Sequence, residues 1–339
     1  MSATKKPIRI LVIRAGQLGD TVFSTSIIKP LLHHFGENAI IDWVAKSGMG
    51  NIFEKDPRIN RVFNMKRRKT PFFINFVKQQ IIFSALSNPY DYIINLELGS
   101  MFNSVVRLTH AKHKIGMPYC HFTEPAETHA VENLHLIYKS FLNDADMVFA
   151  QPSLIGSTLA ELKEKFSLPE QYIVLSPSNS HHDKKSSINL RAWPVEHWKI
   201  FFKLLEKNNI KAVMIGAESE RAFFNKLEPL PDNIISLVGK TSFADLVGLI
   251  NVAKSLVVTD TGPAHIAAAV DTPVYALIGP TNYKRTGPYK TNSNEVIILT
   301  SNADCSPCYH TEKMFTCTDN KCMSGIMPAD VMASILSEI

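Results

Sequence analysis

The sequence has no long uninterrupted apolar run and only a small excess of charge of one sign. No window offers the roughly 18 consecutive apolar residues that a spanning helix needs, so we expect no transmembrane segment. The first apolar run is short and leads directly into a strand and a turn, which is not the pattern of a signal peptide. A net charge of +5 over 339 residues does not by itself indicate a nucleic-acid partner. We therefore expect a cytoplasmic protein, with peripheral membrane contact left open.

Cysteine is also scarce, and its placement is uneven. Four of the five cysteines lie in the last 35 residues, namely Cys305, Cys308, Cys317 and Cys322. A cytoplasmic location argues against stable disulfides. The first Cys-x2-Cys pair is compatible with a structural zinc site, but the spacing of the second pair is wide and irregular, so packed free thiols are the alternative. We expect no catalytic role for these cysteines.

Short apolar strands alternate with helical segments along the whole chain, and this is its main positive feature. Strands are predicted at 8–13, 90–98, 172–177, 255–260 and 273–279, among others, and amphipathic helices lie between them. This alternation predicts parallel, doubly wound α/β sheets. Since the pattern occurs twice, we expect two Rossmann-like domains facing each other across a cleft. Their predicted extents are 1–160 and 170–325, followed by a C-terminal helix at 326–339 that can pack back on the N-terminal domain.

Ligands of such sheets bind beyond the carboxyl ends of the strands, so the turns at those ends are the candidate sites. The stretch "RAGQLGDTV" follows the first strand, and Gly16 and Gly19 permit a tight turn and close approach of a ligand. It is not a dinucleotide-binding fingerprint. Asp20 lies near the start of the next helix. It can cap that helix, or it can face the cleft as a general base.

The stretch "VVTDTGPAHIAAAV" ends a strand and begins a helix at about Pro263. The amides of Gly262 and Ala264, with the positive helix end and the Thr261 hydroxyl, can bind a diphosphate. Asp260 can bind a sugar hydroxyl or orient the loop, and His265 points at the ligand or into the sheet. The alternative is a plain capped helix with a structural histidine.

Four further features have a functional and a plain structural interpretation. Arg191 precedes a helix and can pair with a phosphate, or it is a surface arginine. Glu218 or Glu220 can bind a ribose or base, or both acids stabilise a helix start. The pair His181-His182 fits a loop near the cleft better than a metal site. The basic run "KRRK", which contains Lys66, Arg67 and Arg68, is either a solvated loop or part of a basic and aromatic patch on an anionic membrane.

Taken together, these motifs resemble glycosyltransferase family 9, the ADP-heptose:lipopolysaccharide heptosyltransferases, over almost the whole chain. The resemblance is carried by "ILVIRAGQLGDTVFSTSIIKPL", "RAWPVEHW", "GAESE", "VVTDTGPAHIAAAVDTPVYALIGPTNYKRTGPY" and the closing "CSPCYH…CTDNKCMSGI". It implies a GT-B fold with an N-terminal acceptor domain and a C-terminal nucleotide-sugar domain. It also implies a reaction that inverts the anomeric centre and requires no metal or other cofactor.

The resemblance further implies a role for each candidate residue. Asp20 becomes the base that deprotonates the acceptor, a lipopolysaccharide core steered by Lys66, Arg67 and Arg68, with Gly16 and Gly19 on the acceptor side. On the donor side, the resemblance implies a site for ADP-heptose. The diphosphate would be held by Thr261, Gly262, Pro263 and Ala264, and the ribose by Glu220. It also implies that Asp260 and His265 contact the heptose or order the loop, and that Arg191 binds the leaving ADP.

Two positions depart from the family pattern. Arg191 stands where the family often has lysine, and Ser26 stands where it usually has proline, with Pro30 a turn later. We expect Pro30 to bend the first helix. The alternatives to heptosyl transfer are transfer from another nucleotide-sugar, a nucleotide-sugar epimerase and a non-catalytic nucleotide-binding homologue.

Overall fold

The computed structural model describes residues 6–66, 74–120, 125, 127–179 and 189–337. The chain divides into two compact units, Met1–Ile155 and Gly156–Ile339. Arg67, Arg68, His181 and His182 lie outside the described residues. No helix in the described part of the chain is long and apolar enough to cross a membrane.

The first unit is built on a parallel sheet whose strands are short and mostly buried. They are β1 (Arg9–Ile13), β2 (Ile40–Lys46), β3 (Ile59–Met65), β4 (Tyr90–Asn95) and β5 (Ala111–Gly116). Their order is β3-β2-β1-β4-β5, and Ile13 pairs with Val44 on one side and Asn95 on the other. The chain therefore reverses its direction of progress across the sheet between β1 and β4. This reversal point is where doubly wound sheets bind ligands.

Helices connect these strands. They are α1 (Leu18–Ser24), α2 (Ile28–Phe35), α3 (Phe76–Ser87), α4 (Asn103–Leu108), α5 (Ala130–Tyr138) and α6 (Asp144–Met147), with 3-10 turns at Thr25–Ile27, Met49–Phe53 and Ser100–Phe102. A 3-10 turn separates α1 from α2. Pro30 has no N–H to donate to the carbonyl of Ser26, so the regular ladder is interrupted there.

The second unit repeats this construction with one more strand. Its strands are β6 (Ile173–Ser176), β7 (Ala212–Met214), β8 (Ile234–Ser236), β9 (Leu256–Thr259), β10 (Val274–Leu277) and β11 (Val296–Leu299). They are parallel and lie in the order β11-β10-β9-β6-β7-β8. The reversal point is now between β6 and β9. The predicted parallel, doubly wound architecture is confirmed in both units.

The helices of the second unit pack on this sheet. They are α7 (Leu159–Lys165), α8 (Val195–Lys207), α9 (Arg221–Phe224), α10 (Phe243–Asn251), α11 (Gly262–Ala269), α12 (Tyr283–Thr286), α13 (Glu312–Phe315), α14 (Lys321–Ser324) and α15 (Pro328–Leu336), with a 3-10 turn at Glu218–Glu220. The predicted apolar stripe of α8, Trp198, Phe201, Phe202 and Leu205, is fully buried. Ser242 caps α10 as expected, accepting a hydrogen bond from the amide of Asp245 at 3.1 Å.

The C-terminal helix α15 belongs to the second unit. The sequence had led us to expect a separate C-terminal helix that can pack back on the N-terminal domain. In the structure it packs against α8 of its own unit, and Val331, Met332 and Ile335 are buried in the core of that unit. The apolar side chains of α8 therefore pack in one core with those of the sheet and of α15.

Candidate active site

The reversal point of the first sheet carries a small polar cavity of about 190 Å³. The loop after β1 and the loop after β4 meet there because the two strands are neighbours. The lining residues are Arg14, Gly16 and Asp20 from the first loop and helix, and Glu97, Leu98 and Gly99 from the second. The structure thus brings the predicted Gly16 and Asp20 together at one cavity.

Asp20 is the third residue of α1, and its carboxylate turns back toward the helix start. Its Oδ2 accepts a hydrogen bond from the amide of Gln17 at 2.9 Å, so Gln17, rather than Asp20, occupies the N-cap position. Its Oδ1 lies 2.9 Å from Nη2 of Arg14. The side chain remains 39% exposed. Since each carboxylate oxygen has a second lone pair, the group can still accept a proton from the cavity.

Two neighbours of Asp20 were missed by the sequence analysis. Arg14 also donates through Nη1 to the carbonyl of Leu96 at 2.8 Å, which ties the loop after β1 to the loop after β4. Glu97 is only 4% exposed, and its Oε1 accepts from the amide of Ala15 at 2.7 Å. The available signal was a charged residue at the end of an apolar run, one position after β1 in "ILVIR" and two positions after β4 in "IINLE".

The other acceptor-side candidates are Gly16 and Gly19, which lie next to Asp20, and Lys66, which does not. A Cβ on Gly16 would collide with the side chain of Asp20, so glycine is required for the close approach of that carboxylate. Gly19 lies in the first turn of α1, next to Asp20. Lys66 is exposed directly after β3 and does not line the cavity.

The second unit has its own polar centre at the equivalent reversal point. Asp260 follows β9 and is 5% exposed. Its Oδ2 accepts a hydrogen bond from the Thr281 hydroxyl at 2.5 Å and lies 3.3 Å from Nε of Arg191. Nη1 of Arg191 donates to the backbone carbonyl of Asp260 at 3.4 Å. The predicted Asp260 and Arg191 are therefore direct partners.

The helix α11 begins beside this pair. Thr261 is the N-cap, Gly262 and Pro263 are the first two helical residues, and no acid lies in the first turn. The Thr261 hydroxyl oxygen is buried and has no hydrogen-bond partner among the described residues. Free amides at a helix start and the positive end of the helix dipole attract anions. The start of α11 thus has the donor groups and the field of an anion site.

Ala264 and His265 lie deeper in the same helix. Ala264 is 1% exposed and His265 is 8% exposed, so both side chains are packed within the unit. The amide of Ala264 already donates to the Thr261 carbonyl at 3.1 Å, so it is not one of the free donors of the helix start. The small size of Ala264 lets α11 pack closely on the sheet.

The two acids of "GAESE", Glu218 and Glu220, have different hydrogen-bond partners in the structure. Glu220 accepts at Oε2 from the Ser178 hydroxyl at 2.7 Å and from the amide of Ala217 at 2.9 Å. Ser178 follows β6, so Glu220 belongs to the ligand-binding edge of the sheet. The hydrogen bond from Arg221 lowers the pKa of Glu218 and holds that residue in an exposed pair. Glu220 is the better candidate for contact with a ligand.

The four C-terminal cysteines are free thiols. Burial, with the other cysteines nearby, raises the pKa of Cys308, and the same causes raise the pKa of Cys322 to about 11. In the described part of the chain, no three His, Cys, Asp or Glu side chains are grouped so that they could hold a metal ion. Cys308 and Cys322 are buried, whereas Cys305 is exposed and Cys317 is partly exposed, so packed thiols describe only two of the four.

Comparison with known proteins agrees with this architecture. A family model described as glycosyltransferase family 9 (heptosyltransferase) matches residues 82–318. The lipopolysaccharide core heptosyltransferase OpsX of Haemophilus influenzae is 23% identical over 313 residues, which cover 88% of this chain and 87% of that protein.

Solved structures show the same fold. A glycosyl transferase family 9 protein of Veillonella parvula superposes with a TM-score of 0.78 at 19% identity, covering 99% of this chain and 98% of that one. The E. coli ADP-heptose LPS heptosyltransferase II gives a TM-score of 0.74 at 22% identity, covering 97% and 98%. The fold is therefore GT-B, with a Rossmann-like parallel sheet in each unit. The match of the family model to most of the chain shows that it belongs to glycosyltransferase family 9, the heptosyltransferase family, and is a glycosyltransferase.

Proposed function

We propose that the protein is an inverting heptosyltransferase that moves a heptose from ADP-heptose to a lipopolysaccharide inner-core acceptor, without a metal ion. The observation that carries the proposal is the Asp20 carboxylate, held at the cavity of the first unit by Arg14 and by the amide of Gln17. A partly exposed carboxylate with fixed orientation and a free lone pair is suited to act as a general base.

On the donor side, the start of α11 receives the diphosphate. The buried Thr261 hydroxyl, with no partner among the described residues, donates to a phosphate oxygen, and the Gly262 amide at the first helical position adds a second donor. Arg191 neutralises the charge that develops on the leaving group. Glu220, bound to Ser178, accepts from a ribose hydroxyl.

Asp260 acts through the loop rather than on the sugar. Its carboxylate is buried and already accepts from Thr281 and pairs with Arg191. Of its two predicted roles, these contacts favour the orientation of the donor loop.

The reaction is a single displacement. The acceptor hydroxyl gives its proton to Asp20 as its oxygen forms a bond to the anomeric carbon. The bond from that carbon to the β-phosphate oxygen breaks, and its electron pair leaves with ADP. Attack from the face opposite the leaving group inverts the configuration. No step requires a metal ion, because Arg191 and the helix start supply the positive charge.

The acceptor side of the proposal includes contact with an anionic membrane surface on the cytoplasmic side. Three apolar side chains of α3 are exposed, namely Phe76, Phe83 and Leu86 at 75%, 58% and 64%, and Ile74, just before the helix, is 64% exposed. The sequence between Asp56 and Asp91 has no acid and seven basic residues, which are Arg58, Arg61, Lys66, Arg67, Arg68, Lys69 and Lys78. An apolar helix face within a basic segment suits an interface with anionic lipids. Charge reversal at Lys66, Arg67 and Arg68 should therefore raise the KM for the acceptor and leave donor binding unchanged.

The donor proposal is tested by calorimetry with ADP, UDP, GDP and their sugar conjugates, in chelator, on the wild type and Thr261→Ala. We expect preference for ADP and ADP-heptose, weakened about tenfold by the substitution. Preference for UDP or GDP would retain the fold and exclude heptose as the donor sugar.

The transfer itself is tested with ADP-heptose and an inner-core acceptor in chelator. We expect a product with inverted anomeric configuration and release of ADP. Donor turnover without acceptor would instead indicate an epimerase. Binding without any transfer would indicate a non-catalytic homologue, and activity that chelator abolishes would contradict the metal-independent mechanism.

A further inference from the structure

The guanidinium of Arg191 is held between a carboxylate and an aromatic ring. Its Cζ lies 4.1 Å from the centroid of the Tyr309 ring, while its Nε lies 3.3 Å from Oδ2 of Asp260. A cation over the face of a tyrosine ring is attracted by the electrons of that face at separations up to about 6 Å. Arg191 therefore has two restraints, and one of them comes from the cysteine-rich end of the chain.

The Tyr309 ring is itself fixed through its backbone. The amides of Cys308 and Tyr309 both donate to the carbonyl of Pro280, at 2.9 and 2.8 Å. The Ser306 hydroxyl donates to the carbonyl of Gly279 at 2.5 Å. The Cys308 side chain is buried. These contacts anchor the segment 306–309 to the residues that follow β10.

The anchored segment is also connected to the Asp260 carboxylate. Thr281, the residue after Pro280, donates its hydroxyl to Oδ2 of Asp260 at 2.5 Å. Asp260, Thr281, Pro280, Tyr309 and Arg191 thus form a closed circuit around the end of β9. An arginine side chain has many rotamers in solution, so a circuit of this kind restricts where its guanidinium can lie.

We propose that Tyr309 is a positioning residue of the donor site, whose ring orients the Arg191 guanidinium toward the diphosphate of a nucleotide-sugar. The inference rests on the proposed donor role of Arg191. It also gives a physical reason for arginine where the family often has lysine. A planar guanidinium over a ring can still pair with two phosphate oxygens in its own plane, whereas an ammonium group lacks this bidentate geometry.

The experiment is a double-mutant cycle read by calorimetric ADP binding. Tyr309→Ala should weaken ADP binding about tenfold, and Tyr309→Phe, which keeps the ring, should bind like the wild type. In an Arg191→Ala background, Tyr309→Ala should cause no further loss, because its effect passes through the guanidinium. Phe315→Ala is the matched control, since Phe315 is an aromatic residue of the same C-terminal segment and is 79% exposed.

Three results would overturn the inference. They are an ADP affinity of Tyr309→Ala within twofold of the wild type, an equal loss in the Arg191→Ala background, and a loss in Tyr309→Phe as large as in Tyr309→Ala. If the alanine variant does not fold, Tyr309→Leu replaces it, because leucine keeps apolar bulk without a π face, and the same loss is expected.

The outcomes also separate this inference from the proposed function. A wild type that binds none of ADP, UDP and GDP would overturn both. A wild type that binds UDP or GDP would contradict heptosyl transfer only, and the same cycle is then measured with that nucleotide. Normal ADP binding by both wild type and Tyr309→Ala would contradict the role of Tyr309 alone.

Discussion

In each of the two units a helix begins at the reversal point of the sheet, and the two helix starts differ in their charged residues. In α1 the third residue is Asp20, and its carboxylate accepts the amide of Gln17 at the positive helix end. In α11 the first turn has no acid, and its N-cap Thr261 makes no side-chain cap hydrogen bond. The first helix neutralises its own start, whereas the second leaves its start open to an external anion.

The comparison shows how one architecture provides two kinds of chemistry. The first centre is made of side chains: a carboxylate, the arginine that orients it and a buried glutamate behind them. The second centre combines a helix start with the Thr261 hydroxyl, and the Arg191–Asp260 pair lies beside it. A base requires a lone pair at a fixed position, while a diphosphate requires many donors and positive charge. Three of the four predictions below test this difference, and the fourth concerns the surface of the first unit.

The largest effect should follow from Asp20→Asn. The amide keeps the shape of the side chain but cannot accept the proton of the acceptor, so we expect kcat to fall by about 10²–10⁴. The Kd for ADP should not change, because ADP is assigned to the second unit. An Asp20→Asn enzyme with near-normal kcat would contradict the assignment of the base.

Arg14 should be the next most sensitive position. Arg14→Met removes both the pair with Asp20 and the link to the Leu96 carbonyl, and we expect kcat to fall by about 10² without loss of ADP affinity. Arg14→Lys keeps the charge but can make only part of these contacts, so it should recover part of the rate. Loss of ADP binding in parallel with kcat would show a general structural defect instead.

An acid added to the start of α11 should make it resemble the start of α1. Pro263→Glu places a carboxylate in the first turn, and we expect ADP affinity to fall about tenfold. The thermal midpoint should stay the same or rise slightly, because an acid is favourable at a helix start. Pro263→Gln is the control of equal size; equal ADP affinity of the two variants would contradict the anion-site interpretation.

The smallest effect should concern the surface of the first unit. Phe83→Ser removes one of the exposed apolar side chains of α3, and we expect several-fold weaker binding to vesicles that contain anionic lipid. Phe315→Ser in the second unit is the control, because Phe315 is even more exposed, at 79%. An equal effect of the two substitutions, measured by vesicle sedimentation, would contradict a membrane face specific to α3.

The sequence predicted the strand and helix pattern well, since short apolar runs and amphipathic segments are local signals. It also placed Asp20 near the start of α1 and the Thr261–Gly262 turn after β9, where the structure has them. It did not reveal that Gln17 takes the N-cap position, or that Asp260 is already held by Thr281 and Arg191. Those features depend on which loops become neighbours.

The missed residues have a common cause. Ala15 and Glu97 are 82 positions apart in the chain and meet at 2.7 Å, and Tyr309 is still further along the chain from Arg191. The order of strands in the sheet decides which residues meet, and the local sequence does not show which residues will pair. The packing of α15 on α8 belongs to the same class, because the partner of an amphipathic helix is chosen by the fold.

The sequence by itself determined two parallel, doubly wound sheets and the turns at which ligands bind, because strand periodicity and helix-start residues act over a few positions. Only the tertiary structure decided how those turns are completed. Strand order brings β1 beside β4 and β6 beside β9. It thereby joins Arg14 to the carbonyl of Leu96 and clamps Arg191 between Asp260 and Tyr309, since a side chain's partners depend on distance in space rather than along the chain.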